Sequence, residues 1–438
     1  MAVGSGSGQV FILSESNGLW EEEAVLSAPN DDIYDCFGCV VNIWDNWVSV
    51  GVPGDDANGE LAGRIDMYER MDGQWLYRQS LTPQDPIDYH HFGSWITILD
   101  NSLLIGATGD DNEGINSSGA AYVFERTDME WTQTAKLVPS EPVAQGSFGQ
   151  GVALAGDYAF VGDTRARNEA GVKTGAVYVF QHNNGQWTQQ AKLTPSDGQA
   201  SDGFGWVKAI SDNYLTVGAS QAPGNNEYYK GAVYIFTREG NTWTEQQKII
   251  TPDGDNIDKF LRDYSFSGNY LALASASGVN EAPVYLFRRN GSIWEEVQVF
   301  TSSQPENERY GHEVYLTNDY LFVGAMHHRV AIEEDTILAG GVYIYDLDEI
   351  VNTATPTQVT FQLFPNPTHE WLTITAERAL IENLQIFDAN GRLVRTLLAE
   401  SAGTKQQCTV DLAILPSGLY VLRGTVAGKT VTRQFIKE

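Results

Sequence analysis

Ala176-Val177-Tyr178-Val179-Phe180, then Asn183-Asn184-Gly185, then Trp187-Thr188-Gln189-Gln190-Ala191-Lys192-Leu193, reads as two short strands joined by a tight turn. Two more strand-like runs precede it, Gly151 to Leu154 and Tyr158 to Gly162, joined by Ala155-Gly156-Asp157. The stretch from Phe148 to Asp202 therefore carries four strands, linked alternately by tight turns and by longer, acidic connections such as Asp163 to Thr174 and Pro195 to Gly203.

This unit recurs. Trp20, Trp75, Trp131, Trp187, Trp243 and Trp294 are separated by 55, 56, 56, 56 and 51 residues. Phe37-Gly38, Phe92-Gly93, Phe148-Gly149, Phe204-Gly205, Phe260-Leu261 and Tyr310-Gly311 keep the same register. The third strand appears seven times, from Gln9-Val10-Phe11 through Arg64 to Tyr68, Ala120 to Phe124, Ala176 to Phe180, Ala232 to Phe236 and Val284 to Phe287 to Val342-Tyr343-Ile344-Tyr345. A four-stranded unit repeated at a fixed period predicts an all-β chain folded as a β-propeller, one blade per unit. Seven third strands predict seven blades. The first unit lacks its Phe-Gly strand and the seventh lacks a clear Trp strand, so a six-bladed ring closed by the N-terminal Trp strand is the alternative. Strands alternate in direction, which places both long connections of every unit on one face of the disc. Binding is expected on that face.

Composition agrees: 43 glycines and 49 aromatic residues (20 Tyr, 18 Phe, 11 Trp) suit short strands and tight turns, and charged residues reach only 19%. The net charge of -30 is uneven, with 19 Lys+Arg against 50 Asp+Glu before Phe361 and 8 against 7 after it. Such a body repels nucleic acid and anionic lipid. No run of 18 apolar residues marks a membrane span. The start, Met1 to Gly8, shows no charged segment followed by an apolar stretch, so no signal peptide is visible. Cys36-Phe37-Gly38-Cys39 has the spacing of a redox pair. Placed at the start of a strand, its cysteines would point to opposite faces, which disfavours both a redox role and a mutual disulfide.

Phe-Gly followed by an alternating strand and a Val-Gly-Ala-like end (Val50-Gly51-Val52-Pro53, Ile105-Gly106-Ala107, Val217-Gly218-Ala219, Val323-Gly324-Ala325) resembles bacterial FG-GAP repeats, relatives of the integrin α-subunit propeller, over residues 1–350. The resemblance implies calcium in the turn between first and second strands, but that turn is reduced here to pairs such as Gly156-Asp157, too short to supply six to eight oxygens. Asp55, Asp56, Asp110 and Asp111 offer oxygens on the opposite loop face, either as calcium ligands or as solvated acidic loops. No cofactor is required on this reading, and calcium is not expected in every blade.

Residues 351–360 read as a linker, after which the period stops. Strand-like runs at Leu372 to Thr375, Leu384 to Phe387, Leu393 to Leu397, Thr409 to Leu412, Gly418 to Gly424 and Thr430 to Ile436 predict a small Ig-like β-sandwich over 361–438. Phe364-Pro365-Asn366-Pro367, Ile386-Phe387-Asp388-Ala389-Asn390-Gly391-Arg392, Leu415-Pro416-Ser417-Gly418-Leu419-Tyr420 and a basic end at Lys437 resemble the type A sorting domain of type IX secretion. That resemblance implies recognition by the type IX machinery, display on or release from the outer surface of a Bacteroidetes-type bacterium, and a signal peptide upstream. The lack of one at Met1 then suggests a truncated start.

Catalytic signatures are absent: no Gly-x-Ser-x-Gly, His-Glu-x-x-His or phosphate-binding glycine loop occurs. Side chains that break the repeat on long connections are the candidate ligand contacts, namely Arg165, Arg167, Tyr228, Tyr229, His327 and His328. Adjacent histidines on an irregular loop can share a metal, and loop tyrosines can stack on sugar rings. Two classes of function remain, a surface protein that binds a protein or glycan ligand and a secreted carbohydrate-active or other hydrolytic enzyme. Paired carboxylates at glycosidase spacing on the long-loop face would mark the enzyme.

Overall fold

The structure, a computed structural model, describes the chain apart from residues 5–7, 17–18, 29–34, 113, 129, 212, 221–230, 251–260, 276–282, 303–308, 326–328, 333–334, 339, 348–349, 351–360, 365–370, 377–380, 389–391, 398–406, 427–428 and 438. It divides into two compact units, Met1–Ile350 and Val351–Glu438.

The first unit is a propeller of seven antiparallel sheets. Blade four shows the pattern: Val152–Ala155, Tyr158–Asp163, Ala176–Asn183 and Gln186–Leu193, each strand paired with the next. Blades two, three, five and six likewise have four strands, opening at Val40–Trp44, Trp95–Leu99, Phe204–Ser211 and Leu261–Ser267. Blade one has three, Ala2–Gly4, Gln9–Ser16 and Leu19–Ser27. Blade seven has Tyr310–Leu316, Tyr320–Ala325 and Gly341–Asp346 in its sheet, with a hairpin of Arg329–Ile332 and Asp335–Leu338 on the connection before its third strand. Leu19–Ser27 pairs with Gln9–Ser16 and not with blade seven, so the ring has seven blades and the six-bladed alternative falls. First strands of blades two to seven pack one against the next around the central axis, while fourth strands stand further apart at the rim.

Two sequence signals become packing. Each Phe of the Phe-Gly pair is fully buried and meets the third-strand tyrosine of its own blade edge-on: Phe92 with Tyr122 at 5.6 Å, Phe148 with Tyr178 at 5.4 Å, Phe204 with Tyr234 at 5.4 Å. Edge-to-face pairs of this kind add about 0.5–1.5 kcal/mol to their burial. The glycines meet across blade boundaries. A Cβ on Gly106 or Gly162 would overlap the backbone carbonyl of Gly149 or Gly205 in the following blade, so only glycine lets adjacent inner strands approach this closely.

The tryptophans occupy one position, the second residue of each fourth strand, opposite Arg70, Arg126, His182, Arg238 and Arg289 on the third strands of blades two to six. A register shift recurs one turn of pleat before each of them, between Met67/Tyr68, Val123/Phe124, Val179/Phe180, Ile235/Phe236 and Leu286/Phe287. The bulge aims the indole at the preceding blade. Trp131 meets Trp47 at 5.6 Å and Trp243 meets Phe160 at 5.3 Å.

In blades two, three and four the Phe-Gly pair is a turn preceding the first strand, whereas in blade five Phe204 and Gly205 open that strand. The amides of Cys39, Ser94 and Gln150 donate to the carbonyls of Cys36, His91 and Ser147, closing four-residue turns at equivalent places in blades two, three and four. This corrects the expectation for the cysteines. Residues i and i+3 of a β-turn lie within disulfide reach, whereas those of a strand do not, and Cys36 and Cys39, with Cα atoms 5.5 Å apart, form a disulfide.

The second unit has two antiparallel sheets, one of Phe361–Phe364, Trp371–Ala376 and Gln407–Asp411, the other of Leu393–Leu397, Ile381–Asp388, Gly418–Val426 and Lys429–Lys437. Leu384, Ile386, Val410, Leu412, Leu415, Tyr420 and Leu422 are buried. The predicted strands are all present, and Phe361–Phe364 is an additional one. The expected linker, 351–360, lies outside the described residues.

Candidate ligand cleft on the long-loop face

Long connections of blades three and four border an open cleft of about 510 Å³. Tyr89, His91 and Ser94 reach it from the connection entering blade three, Thr108, Gly109 and Ser117 from that blade's second long connection, and Trp95 from the start of its first strand. Blade four contributes Gln145, Gly146, Ser147 and Gln150 from its entry and Arg165 from its second long connection. No Asp or Glu is among these lining residues. The wall is two aromatic rings, four hydroxyls, two carboxamides, an imidazole and one guanidinium.

Arg165 owes its place to a local break in the repeat. Counting from the Val-Gly-Ala glycine, its equivalents are Gly54 and Gly109. A Cβ on Gly109 would overlap the carbonyl of Tyr89, so blade three has no room for a side chain there. In blade four Asp163 replaces the usual alanine, and its Oδ1 accepts the amides of Ser147 at 3.1 Å and Arg165 at 2.9 Å, which re-routes the loop. Asp163 is fully buried, and burial raises its carboxyl above the usual range against the pull of those amides. Arg165 donates from Nη1 to the carbonyl of Gln145 at 2.7 Å and forms no ion pair among the described residues. His91 titrates below the ordinary histidine range because it is partly buried and lies near His90.

Trp95 marks a second break. Its ring meets Trp206, on the first strand of blade five, at 5.1 Å and 82°. The two lie two blades apart, and the position of Trp95 in the intervening blade is Gly151, with φ of 104°. A larger residue there would strike the amide of Val207. Beside this pair, on the first strands of blades five to seven, Lys208 is ion-paired to Asp263 and lies 3.6 Å from Glu313. Asp263 also accepts the amides of Tyr264 and Val314, each at 2.8 Å.

The acidic candidates turn out differently. Asp55 and Asp110 are equivalent and buried, and each is neutralised inside its own blade. Arg64 binds Asp55 and Asp66. Asp110 binds His90 at 2.7 Å, Lys136 at 2.9 Å and the hydroxyl of Tyr122, and these donors outweigh burial to hold its carboxyl below the usual range. Asp56 and Asp111 accept the amides of Leu61 and Ser117, each at 2.6 Å, and shape their loops. No group of three or more metal-ligating side chains occurs among the described residues. Arg167 points away to the carbonyl of Gly171 at 2.8 Å. Tyr228, Tyr229, His327 and His328 lie outside the described residues, as do Pro365, Asn366, Pro367 and Gly391. Gly418 pairs in register with Lys437, and Tyr420 donates its hydroxyl to the carbonyl of Pro416 at 2.8 Å, so these three elements of the sorting motif share one end of the final hairpin.

Tyr89, Trp95, Gln145 and Gln150 were not singled out from sequence. Their signal was available: they lie within three residues of a Phe-Gly pair that stays fixed from blade to blade while they change.

A seven-bladed repeat propeller followed by a second, two-sheet C-terminal unit defines the class, and the family comparisons agree with it. The FG-GAP repeat model matches residues 75–124, 131–180 and 187–236, and the secretion system C-terminal sorting domain model matches 362–438. The chain carries FG-GAP repeats in a propeller and a type IX sorting domain, and is thereby a secreted protein directed to the cell surface or the extracellular space. Each matched repeat starts at a tryptophan strand and ends with the third strand of the next blade, so the sequence repeat is offset from the blade by one strand. No curated protein matches the chain. Among solved structures, a candidate 6-phosphogluconolactonase from Bacteroides uniformis ATCC 8492 aligns over 78% of this chain and 98% of its own at 12% identity and a TM-score of 0.51. A candidate 6-phosphogluconolactonase from Bacteroides fragilis NCTC 9343 aligns over 74% and 87% at 11% identity and 0.49. At such identities the first is a likeness of fold. Among the described residues no helix is long and apolar enough to cross a membrane.

Proposed function

We propose that the protein is a secreted carbohydrate-binding propeller that seats a sugar in the cleft between blades three and four. The observation that carries this is the make-up of the wall: Trp95 and Tyr89 supply faces for sugar C–H groups, and Ser94, Thr108, Ser117, Ser147, Gln145 and Gln150 supply hydrogen bonds. A volume of about 510 Å³ suits two or three sugar rings. A glycan array probed with the full chain and with Trp95→Ala tests it. Binding by the native chain that the variant loses supports the reading, and an array on which the native chain binds nothing sinks it.

A hydrolase is the second reading, because the carboxyls of Asp263 and Glu313 face one another beside Lys208 and the first neighbour above is named as a lactonase. Asp263 is already held by Lys208 and two backbone amides, an arrangement that leaves it structural. The cleft itself lacks the carboxylate pair that glycoside hydrolysis needs.

A further inference from the structure

Resting on the sugar-binding reading, we infer that the cleft selects saccharides bearing a carboxylate, uronic acid units in particular, and that Arg165 is the residue that reads the charge. Several described basic side chains pair with acids, Lys136 with Asp85, Lys192 with Glu141 and Lys248 with Asp197, whereas Arg165, like Arg167 and Lys173 on the same connection, forms no ion pair among the described residues. What sets Arg165 apart is its place: it lines the cleft, whose wall holds no carboxylate to neutralise it.

The placement is specific. One nitrogen, Nη1, of this exposed side chain donates to the carbonyl of Gln145, which orients the guanidinium. Its planar fork matches a carboxylate, and a charge-assisted pair is stronger than a neutral hydrogen bond. Asp163, two residues before it, is fully buried and its Oδ1 is taken by the backbone amides of Ser147 and Arg165, so it forms no ion pair with the guanidinium, although the Arg165 charge acts on it. His91 also lines the cleft, but Arg165 is its one permanently charged side chain. Trp95 then offers the face against which the ring of the same sugar rests.

The discriminating measurement is calorimetry of the full chain with an oligouronate, with the same oligomer after reduction of its carboxyl groups to primary alcohols, and with a sulfated oligomer of equal length. The native protein is expected to bind the oligouronate roughly tenfold or more tightly than the carboxyl-reduced form, the scale of one charge-assisted pair. Arg165→Gln should bring that ratio close to one, and Arg165→Lys should restore only part of it, because a point charge lacks the fork. Unchanged melting curves keep these variants interpretable. Equal affinity for the charged and reduced oligomers overturns the inference while leaving sugar binding intact, as does preference for the sulfated oligomer. Absence of binding to every oligomer removes the sugar-binding reading itself.

Discussion

The indole of Trp20 meets the ring of Phe322 edge-on, with centroids 5.3 Å apart at 89°, and Tyr320 lies on the same indole at 5.7 Å. Trp20 belongs to blade one and Phe322 to blade seven. Their contact repeats the one between Trp243 and Phe160 in successive blades, so the last blade treats the first as its next neighbour. Closure by side chains replaces pairing of strand edges at this seam. Trp20→Ala should therefore cost stability as an interior blade substitution does, about 2 kcal/mol for this half-buried indole against roughly 3–5 for Trp131→Ala, whose indole is fully buried. Denaturant titration of both variants checks it. A Trp20→Ala protein as stable as the parent would mean that the seam contributes nothing to the ring.

The interlocked glycines make a sharper claim. Gly162→Ala places a methyl group on the carbonyl of Gly205, and because the methyl is fixed to Cα and the carbonyl is backbone, the two strands must separate. We expect a loss of several kcal/mol, on the order of the 1–3 or more known for overpacking, and a drop in soluble yield. Gly156→Ala, in a tight turn with nothing near its Cβ, is the control, strained only by its φ of 52°. Similar stability for the two would show that close approach is not what keeps glycine at the first site.

How much of this was legible in sequence follows from symmetry. Trp131 and Trp187 announce themselves because 56 residues separate them and each stands second in its fourth strand. The cleft is legible only as departure from symmetry. Arg165 stood out as a charge that breaks the repeat on a long connection, but Trp95 did not, since its partner Trp206 lies two blades away and no spacing links them. Asp55 and Asp110 misled for a related reason: a run of acidic residues looks solvated, and the cations that bury it come from strands, Arg64 in one blade and Lys136 in the other. The disulfide was missed because Phe-Gly was assigned to a strand when its carbonyl pattern makes it a turn.

That disulfide should matter little to stability. It closes a loop of four residues, for which the chain-entropy account gives about 2 kcal/mol. Both cysteines are exposed, so a mild dithiol should reduce the bond in the folded protein and leave both thiols open to alkylation. A small fall in melting temperature after reduction is the expected result. Global unfolding on reduction would show that the turn holds blade two in place.

Asp110 sets an acid limit. Its folded-state carboxyl lies below the ordinary value of 3.8, because His90, Tyr122 and Lys136 favour the charged form more than burial opposes it. For a carboxyl with a depressed folded pKa, the linked stability is fully present above the unfolded value and is lost as pH falls through the folded one. Stability from this cluster should thus be level from about pH 7 to 5 and decline below about 4. Asp110→Asn should flatten that decline while lowering stability at neutral pH by roughly 1–3 kcal/mol, since it removes the buried carboxylate that accepts from His90, Tyr122 and Lys136, the last of which keeps only Asp85. Parallel acid-denaturation curves for variant and parent would assign the acid limit elsewhere.

Metal removal is the last test, and the charge of -30 makes calcium the tempting answer. The carboxylates best placed to hold it are committed. Asp55 is bound by Arg64, Asp110 by His90 and Lys136, and Asp56 and Asp111 by loop amides, so an incoming cation would have to displace a buried ion pair before gaining six to eight oxygens. Blade four cannot repeat the site at all, because Ala166 occupies the place of Asp55 and Asp110 and is itself fully buried. We therefore expect excess chelator to leave the melting temperature of the full chain where it was, and added calcium to raise it no more than magnesium does. The opposite outcome, about one tightly bound ion per blade with a large chelator-induced loss of stability, would mean that the buried carboxylates exchange their protein cations for metal.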